Sequence, residues 1–561
     1  MFNTVHRIIY LLVFAVVAHA GLDVCLKDMG CLKGTLFPGY EENTQIEAFM
    51  GIPFAQPPVA ELRLRNPVPA KPWQGILNAT EAGGTCLQTN YFTPNWDIWG
   101  QEDCLYLNVY RPKDISDSKQ LPVMVYIYSG GFFTGTSHPG LVGPQYLMDT
   151  KEVILVSFNY RLGPFGFLST GDEHMPGNFA FKDQRLALQW VQKHISSFGG
   201  DANLVTIFGH SAGGSSSHYH MLSENSKGLF HRSMSLSGCG LGSFMSIEKD
   251  PLKKTQQFAE HLEIPNFKDL SNEELANALR QVDAMALLKT ADIARIWDVY
   301  PLVADLPVLE EPGPEAFFTE DPVQAHLAGR IHQVPWLLGT TSREGEGLTF
   351  LFRNLDSDDR LKDFNSKFLD HLAMAINLPE GVSSNVVQDI LELYGQPQIK
   401  ELNNDTFAFL AGIVGDFNFM YPLYMSAKTY TKLDQLSIYN FDYLGEKTFA
   451  SIFASSRVIE VGSVHLDDTL HTVAMQALTP IFQKDSTDAK VMKRMTNLLV
   501  HFAKTGKMDD LNLLPCKEED FTSQEMCNYF RFGGARETFI EEIDKKLNTR
   551  GLELWKKLYL P

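Results

Sequence analysis

The chain has 561 residues, 44% of them hydrophobic, and a formal net charge of −19 at pH 7. This length and apolar content allow a large buried core, while the acidic balance repels phosphate backbones and anionic lipid and so argues against a nucleic-acid partner. No repeat, heptad or low-complexity tract divides the chain, and a single domain over 21–561 is expected.

The first twenty residues, "MFNTVHRIIYLLVFAVVAHA", place Arg7 before an apolar run at 8–17 and end in the small-x-small pattern Ala18-His19-Ala20. That is the pattern of an export signal cleaved after Ala20. A spanning helix needs roughly 20 apolar residues, and no later stretch is long enough, so no membrane anchor is expected. Loss of Arg7 with the leader takes the charge to −20. Seven cysteines fit an oxidising, extracellular destination. Local closeness pairs Cys25 with Cys31, Cys86 with Cys104 and Cys516 with Cys527, leaving Cys239 free, although sequence alone does not fix connectivity. The sequons at Asn78 and Asn404 are glycosylation acceptors if exposed.

Farther along, "LPVMVYIY" (121–128), "EVILVSFNY" (152–160) and "LVTIFG" (204–209) are β-branched and aromatic runs, the mark of strands buried on both faces. Between the last two, "DQRLALQWVQKHISSF" repeats apolar residues at helical spacing: Ala187, Trp190, Val191, Ile195 and Phe198. Strand, helix, strand predicts a right-handed crossover and an α/β fold with a mostly parallel sheet. Further strand-like runs at "SMSLSG", "PWLLGTT" and "SIYNFDY" extend it. The stretch 250–436 has more helical periodicity and acidic faces, and is expected to cover the sheet's upper edge.

Directly after the strand at 204–209 comes "GHSAGG", with Ser211 flanked by Gly209 and Gly213. A chain this long offers about 0.2 chance matches to G-x-S-x-G, so the pattern alone is weak. Its position between a strand and a small-residue helix is what marks Ser211 as a nucleophile on a strained turn. Such a hydroxyl needs a base and donors for the oxyanion. The glycines of "YSGGFFTG" offer the amides of Gly130 and Gly131, and Ala212 supplies a third. In enzymes built on this turn the partners follow in the order serine, acid, histidine. His371, His471 and His501 lie in helix-like stretches. His465, in "GSVHLDD", follows a turn signal, and Asp467 and Asp468 open a helix after it, so a loop histidine can reach the serine.

These residues, with "FMGIPFAQPPVAELRLRNP", "EDCLYLNVYRP", "NYRLGPFGFLS" and "FGGDANLVTIFGHSAGG", identify a chain that resembles the carboxylesterase/cholinesterase family of α/β-hydrolases over nearly its whole length, secreted insect carboxylesterases above all. The resemblance implies the α/β-hydrolase fold, with helices on both faces of the sheet, and a Ser211–Glu344–His465 triad. Glu344 is the acid because it stands five residues beyond Gly339; taking Glu346 instead requires two extra residues between strand end and acid. It also implies the oxyanion hole at Gly130, Gly131 and Ala212, the Cys86–Cys104 bridge, a small-molecule ester as substrate, and no metal or organic cofactor.

The chain departs from the family at several points. Tyr128-Ser129-Gly130-Gly131 stands where carboxylesterases have H-G-G-G, and Ser129 is expected to tighten the loop. His210 replaces the glutamate before the cholinesterase serine, and the loop from Cys86 to Cys104 is too short for the choline-binding tryptophan, so acetylcholine is not the expected substrate. Juvenile hormone esterases carry glutamine at position 210, which makes hormone-ester or lipase-like hydrolysis the alternatives within the class. A non-catalytic adhesion protein on this fold is the alternative outside it.

Overall fold

The computed structural model describes residues 22–560 apart from 91–96, 114–119, 243–245, 295–302, 304–305, 346–357, 380, 454–461, 510–512, 514, 523–524 and 547. The export signal expected at 1–20 lies outside the described residues. So does Glu346.

Eleven strands form one sheet: β1 (Thr35–Pro38), β2 (Gln45–Pro53), β3 (Tyr106–Pro112), β4 (Leu121–Ile127), β5 (Ile154–Phe158), β6 (Gly200–His210), β7 (Arg232–Leu236), β8 (Trp336–Thr341), β9 (Leu436–Phe441), β10 (Glu525–Ala535) and β11 (Thr538–Lys546). Their spatial order is β11-β10-β9-β8-β7-β6-β4-β5-β3-β2-β1. The run from β5 to β10 is parallel throughout. Antiparallel strands close both ends. Every residue of β4, β5 and β8 is buried. Because successive side chains point to opposite faces, such strands must be covered by helices on both sides.

The helix expected within 183–198 is α1 (Phe179–His194), followed by a 3-10 turn, Ile195–Phe198. It joins β5 to β6, and α2 (Ala212–Leu222) joins β6 to β7. These connections create a switch point. After β4 the chain goes to β5 on one side, then returns to β6 on the other. Loops leaving the carboxyl ends of β4 and β6 therefore diverge, which opens the crevice where ligands of open α/β sheets bind.

The stretch 250–436 is largely helical, as expected, with β8 running through it. Its first three helices, Pro251–His261, Asn272–Gln281 and Ala284–Thr290, bury Phe258, Leu275, Leu279 and Leu287 against Phe165 and Phe179. A later helix, α3 (Phe407–Gly415), continues as a π-turn, Asp416–Met420, that reaches the carboxyl edge of β8. The hairpin of β10 and β11 was not legible. The β11 segment, "TFIEEIDKK", is mostly exposed and reads as a solvated charged run. The three expected disulfides are present, and Cys239 is a buried free thiol.

Two buried histidines link α2 to the helix Pro322–Leu327. The amide of Gly240 donates to His218 Nδ1 at 2.8 Å, so His218 carries its proton on Nε2 and donates it to His326 Nδ1 at 3.0 Å. His326 Nε2 in turn donates to Thr429 Oγ1 at 2.7 Å. Both rings are neutral in this arrangement, and burial pushes His326 down to about 4. A histidine with a lowered folded pKa contributes stability fully above its unfolded value, about 6.5, and loses it as pH falls toward the folded value. His326→Gln is therefore expected to lower the melting temperature clearly at pH 7.5 and less at pH 5, where the wild-type ring has already given up about 2 kcal/mol. Thermal unfolding of both proteins at both pH values checks this; a penalty that does not shrink would show that the ring is charged when folded.

Candidate active site

Ser211 follows β6 directly, with φ 55° and ψ −121°. A non-glycine residue there is strained, and it stays only because its surroundings fix it. Its amide donates to the Leu236 carbonyl of β7 at 2.8 Å, and its carbonyl accepts from Ser215 in α2 at 2.9 Å. At Gly213 a Cβ would collide with the Ile127 carbonyl at the end of β4. The small residues after the serine thus let α2 start hard against the neighbouring strand.

Ser211 Oγ lies 2.9 Å from His465 Nε2, and His465 Nδ1 lies 2.6 Å from Glu344 Oε2. Glu344 is buried, and its other oxygen accepts from the Thr341 amide at 2.7 Å and the Thr340 hydroxyl at 2.9 Å. Burial works against its charge, yet His465 beside it and these donors hold the carboxyl below the usual range. The carboxylate stays ionised and faces the ring. The turn carrying Glu344 is tied to the histidine loop by a bond from the Arg343 amide to the Ser463 carbonyl at 2.9 Å. Gly345 must be glycine, since a Cβ would strike the Ala411 carbonyl of α3. On the histidine side, Asp467 accepts from the amides of Val464 at 2.8 Å and Phe449 at 2.6 Å, and the Phe419 ring lies 4.6 Å from the imidazole. The helix expected after His465 is the single turn Asp467–Leu470.

The loop after β4 makes a tight turn in which the Gly130 carbonyl accepts from Phe133 and Thr134, at 3.1 and 3.0 Å. Gly130 has φ 122°, beyond the reach of other residues. Among the described residues, no backbone acceptor takes the amides of Gly130, Gly131 or Ala212. They remain available to an oxyanion. Tyr128 replaces the family histidine through a reciprocal pair: its ring stacks on Tyr160 at 4.3 Å, and each hydroxyl donates to the other's carbonyl, at 3.0 and 3.1 Å.

Sequence reasoning missed the residue that clamps this loop. Gln88, fully buried two residues after Cys86, accepts from the Gly135 amide at 2.6 Å and the Thr134 hydroxyl at 2.7 Å. It donates to the Gly135 carbonyl at 2.7 Å and the Cys86 carbonyl at 2.9 Å. No local signal marks it, because its partners are 46 and 47 residues away. Beside the loop is a cavity of about 80 Å³, lined by Trp99, Tyr128, Val142, Phe449, Leu466 and Met475 among others, with no charged side chain among the described residues. Ser129, placed by its sequence in the loop, is half-buried on that wall.

A parallel sheet with a switch point, a serine on a strained strand-to-helix turn and a histidine–carboxylate pair within reach of it define an α/β-hydrolase. The chain belongs to the carboxylesterase family, whose profile matches residues 23–554, and is a carboxylic ester hydrolase. It is 36% identical over 496 residues to the juvenile hormone esterase of Tribolium castaneum, covering 84% of this chain and 82% of that one. It is 33% identical over 495 residues to esterase FE4 of Myzus persicae, covering 86% and 84%. The crystal structure of juvenile hormone esterase from Manduca sexta with OTFP covalently attached superposes with a TM-score of 0.80 at 24% identity, covering 96% of this chain and 100% of that chain, and confirms the fold.

Three substitutions test this geometry. Glu344→Gln removes the charge facing His465 and is expected to lower kcat on the order of 10⁴-fold with little effect on folding, while Glu346→Gln stays within about tenfold of the parent; steady-state rates with the order of the two reversed would move the acid to Glu346. Gln88→Leu, which leaves the loop amide and hydroxyl without their acceptor, is expected to lower kcat about 10- to 100-fold. An unchanged kcat would show that the loop holds its shape without the clamp.

Proposed function

We propose that the chain is an exported serine esterase that forms an acyl-enzyme on Ser211. The observation that carries this is the continuous hydrogen-bonded line Ser211–His465–Glu344, at 2.9 and 2.6 Å, next to three amides with no backbone acceptor among the described residues. His465 takes the hydroxyl proton as Oγ attacks the ester carbonyl. Glu344 orients the ring and balances its developing charge. The amides of Gly130, Gly131 and Ala212 receive the negative oxygen, and the proton held by His465 goes to the departing alcohol. Water then repeats the sequence on the acyl-enzyme, releasing the acid.

The uncharged aromatic and aliphatic wall from Trp99 to Met475 suits a neutral, apolar ester. A juvenile hormone-like ester is the second reading, favoured by the 36% identity to the Tribolium castaneum protein. A lipase-like preference differs only in acyl length. Export fits the leader at 1–20 and three disulfides in a chain with no described helix long and apolar enough to cross a membrane. Both sequon asparagines, Asn78 and Asn404, are exposed and open to glycan transfer. The mature protein is one hydrolase domain over 21–561.

Treatment with an organophosphate is expected to abolish esterase activity irreversibly at one equivalent, with the phosphoryl group on Ser211 by peptide mapping, because an activated serine attacks phosphorus as it attacks a carbonyl. An adduct on any other serine would overturn the assignment. Rates across neutral esters graded in acyl and alcohol size then separate general esterase, hormone esterase and lipase.

A further inference from the structure

The residue before the nucleophile, His210, has no part in the relay, yet it is completely buried. Its Nδ1 lies 3.3 Å from the Tyr126 hydroxyl of β4. Its Nε2 lies 3.7 Å from Asp468 Oδ2, on the helical turn three residues beyond His465. The Tyr439 hydroxyl of β9 donates to that same Oδ2 at 2.7 Å. Among the described residues, His210 Nε2 and Asp468 Oδ1 have no hydrogen-bond partner. Buried polar groups are costly to leave unmatched, and each such group in a folded protein calls for an explanation. Here the two belong to facing side chains: His210, next in the chain to the nucleophile, turns Nε2 toward Asp468 Oδ2, and Oδ1 of the same carboxyl is the other group.

The position of that contact supplies the explanation. His210 is the last residue of β6 and continues without a break into Ser211. Asp468 belongs to the turn that holds His465, whose other aspartate is already used to fix the loop backbone through Val464 and Phe449. Tyr126 anchors one end to β4, and Tyr439 anchors the other to β9. The charged and titratable groups facing the pair are Tyr126, Tyr439, Glu344, His465 and Asp467. Burial pushes His210 down to about 3 and Asp468 up to about 7, so the imidazole beside the carboxyl is held neutral.

Building on the serine-esterase reading above, we propose that His210 and Asp468 form a buried positioning pair that braces the nucleophile turn against the histidine turn and so sets the Ser211 Oγ to His465 Nε2 distance. The pair touches neither substrate nor reacting atoms. Its expected effect is on turnover of bound ester, because the distance it sets is the one across which the Ser211 proton passes to His465.

Phosphorylation of Ser211 by an organophosphate, mapped in the parent and every variant, counts competent sites and tests the underlying reading separately: a parent that is not labelled at Ser211 refutes that reading, whereas labelled variants report on the brace alone. Per labelled site, His210→Phe keeps the ring and loses both nitrogens, and is expected to lower kcat about 100-fold with KM within about threefold. His210→Gln, whose amide can accept from Tyr126 and donate to Asp468, is expected to recover to within about tenfold of the parent. Asp468→Asn combined with His210→Phe is expected to be no slower than the slower single variant, the mark of one shared interaction. If His210→Phe does not fold, Tyr126→Phe, which removes one hydroxyl, replaces it in the cycle and is expected to lower kcat about threefold or more. Per-site kcat within threefold of the parent for His210→Phe, a glutamine variant as slow as the phenylalanine one, or multiplicative losses in the double variant would each overturn the proposal.

Discussion

The contact between Gly213 and the Ile127 carbonyl is the constraint on which the site rests. It exists because β4 and β6 are neighbours although β5 lies between them in sequence. From that one adjacency the chain obtains two things at the same place: a turn that lifts Ser211 above the sheet edge, and a glycine loop whose amides are left over when the sheet ladder stops. A parallel sheet without the reversal would put a crossover helix where the ester must lie. The remaining groups are brought to this edge by β8 and β9, which run parallel to β6 and end on the same side.

The polar groups beneath the edge are arranged so that charge is concentrated in one place. Glu344 stays ionised although buried, because His465 and two donors from the β8 end offset the loss of water. Beneath it His210 is held neutral by burial, as are His218 and His220 along α2 and His326 beyond them. A charged ring at His210 would act on His465 directly. Keeping them neutral leaves the developing imidazolium as the partner that Glu344 faces, and in a low-dielectric interior that preference is strong.

Much of this was legible in the sequence, and the residues explain which parts. The runs at 121–128, 152–160 and 204–209 read as strands because both their faces are apolar, and they became β4, β5 and β6. The place of Ser211 on a turn between strand and helix was legible, as was that of His465 in a loop. Glu344 needed the family likeness, because a glutamate in a turn carries no sign of its partner 121 residues away. Its glycine neighbour did carry a sign, the close approach to α3, but only the fold reveals what it approaches. Gln88 and Asp468 were opaque for the same reason: their partners belong to other segments. β11 was opaque for another reason, since an exposed edge strand guarded by charges has no apolar face to announce it.

The short segment bounded by Cys86 and Cys104 holds the loop after β4 through Gln88 and, a few residues on, contributes Asn90 and Trp99 to the wall of the apolar cavity. The clamp on that loop and part of the cavity wall therefore sit on one covalently closed ring of chain. The Gln88 end of that ring is held by four hydrogen bonds to backbone and side chain, whereas Trp99 at its other end faces the cavity. For anyone reshaping this enzyme toward a new ester, the ring marks out in advance where a library should be dense and where it should be empty.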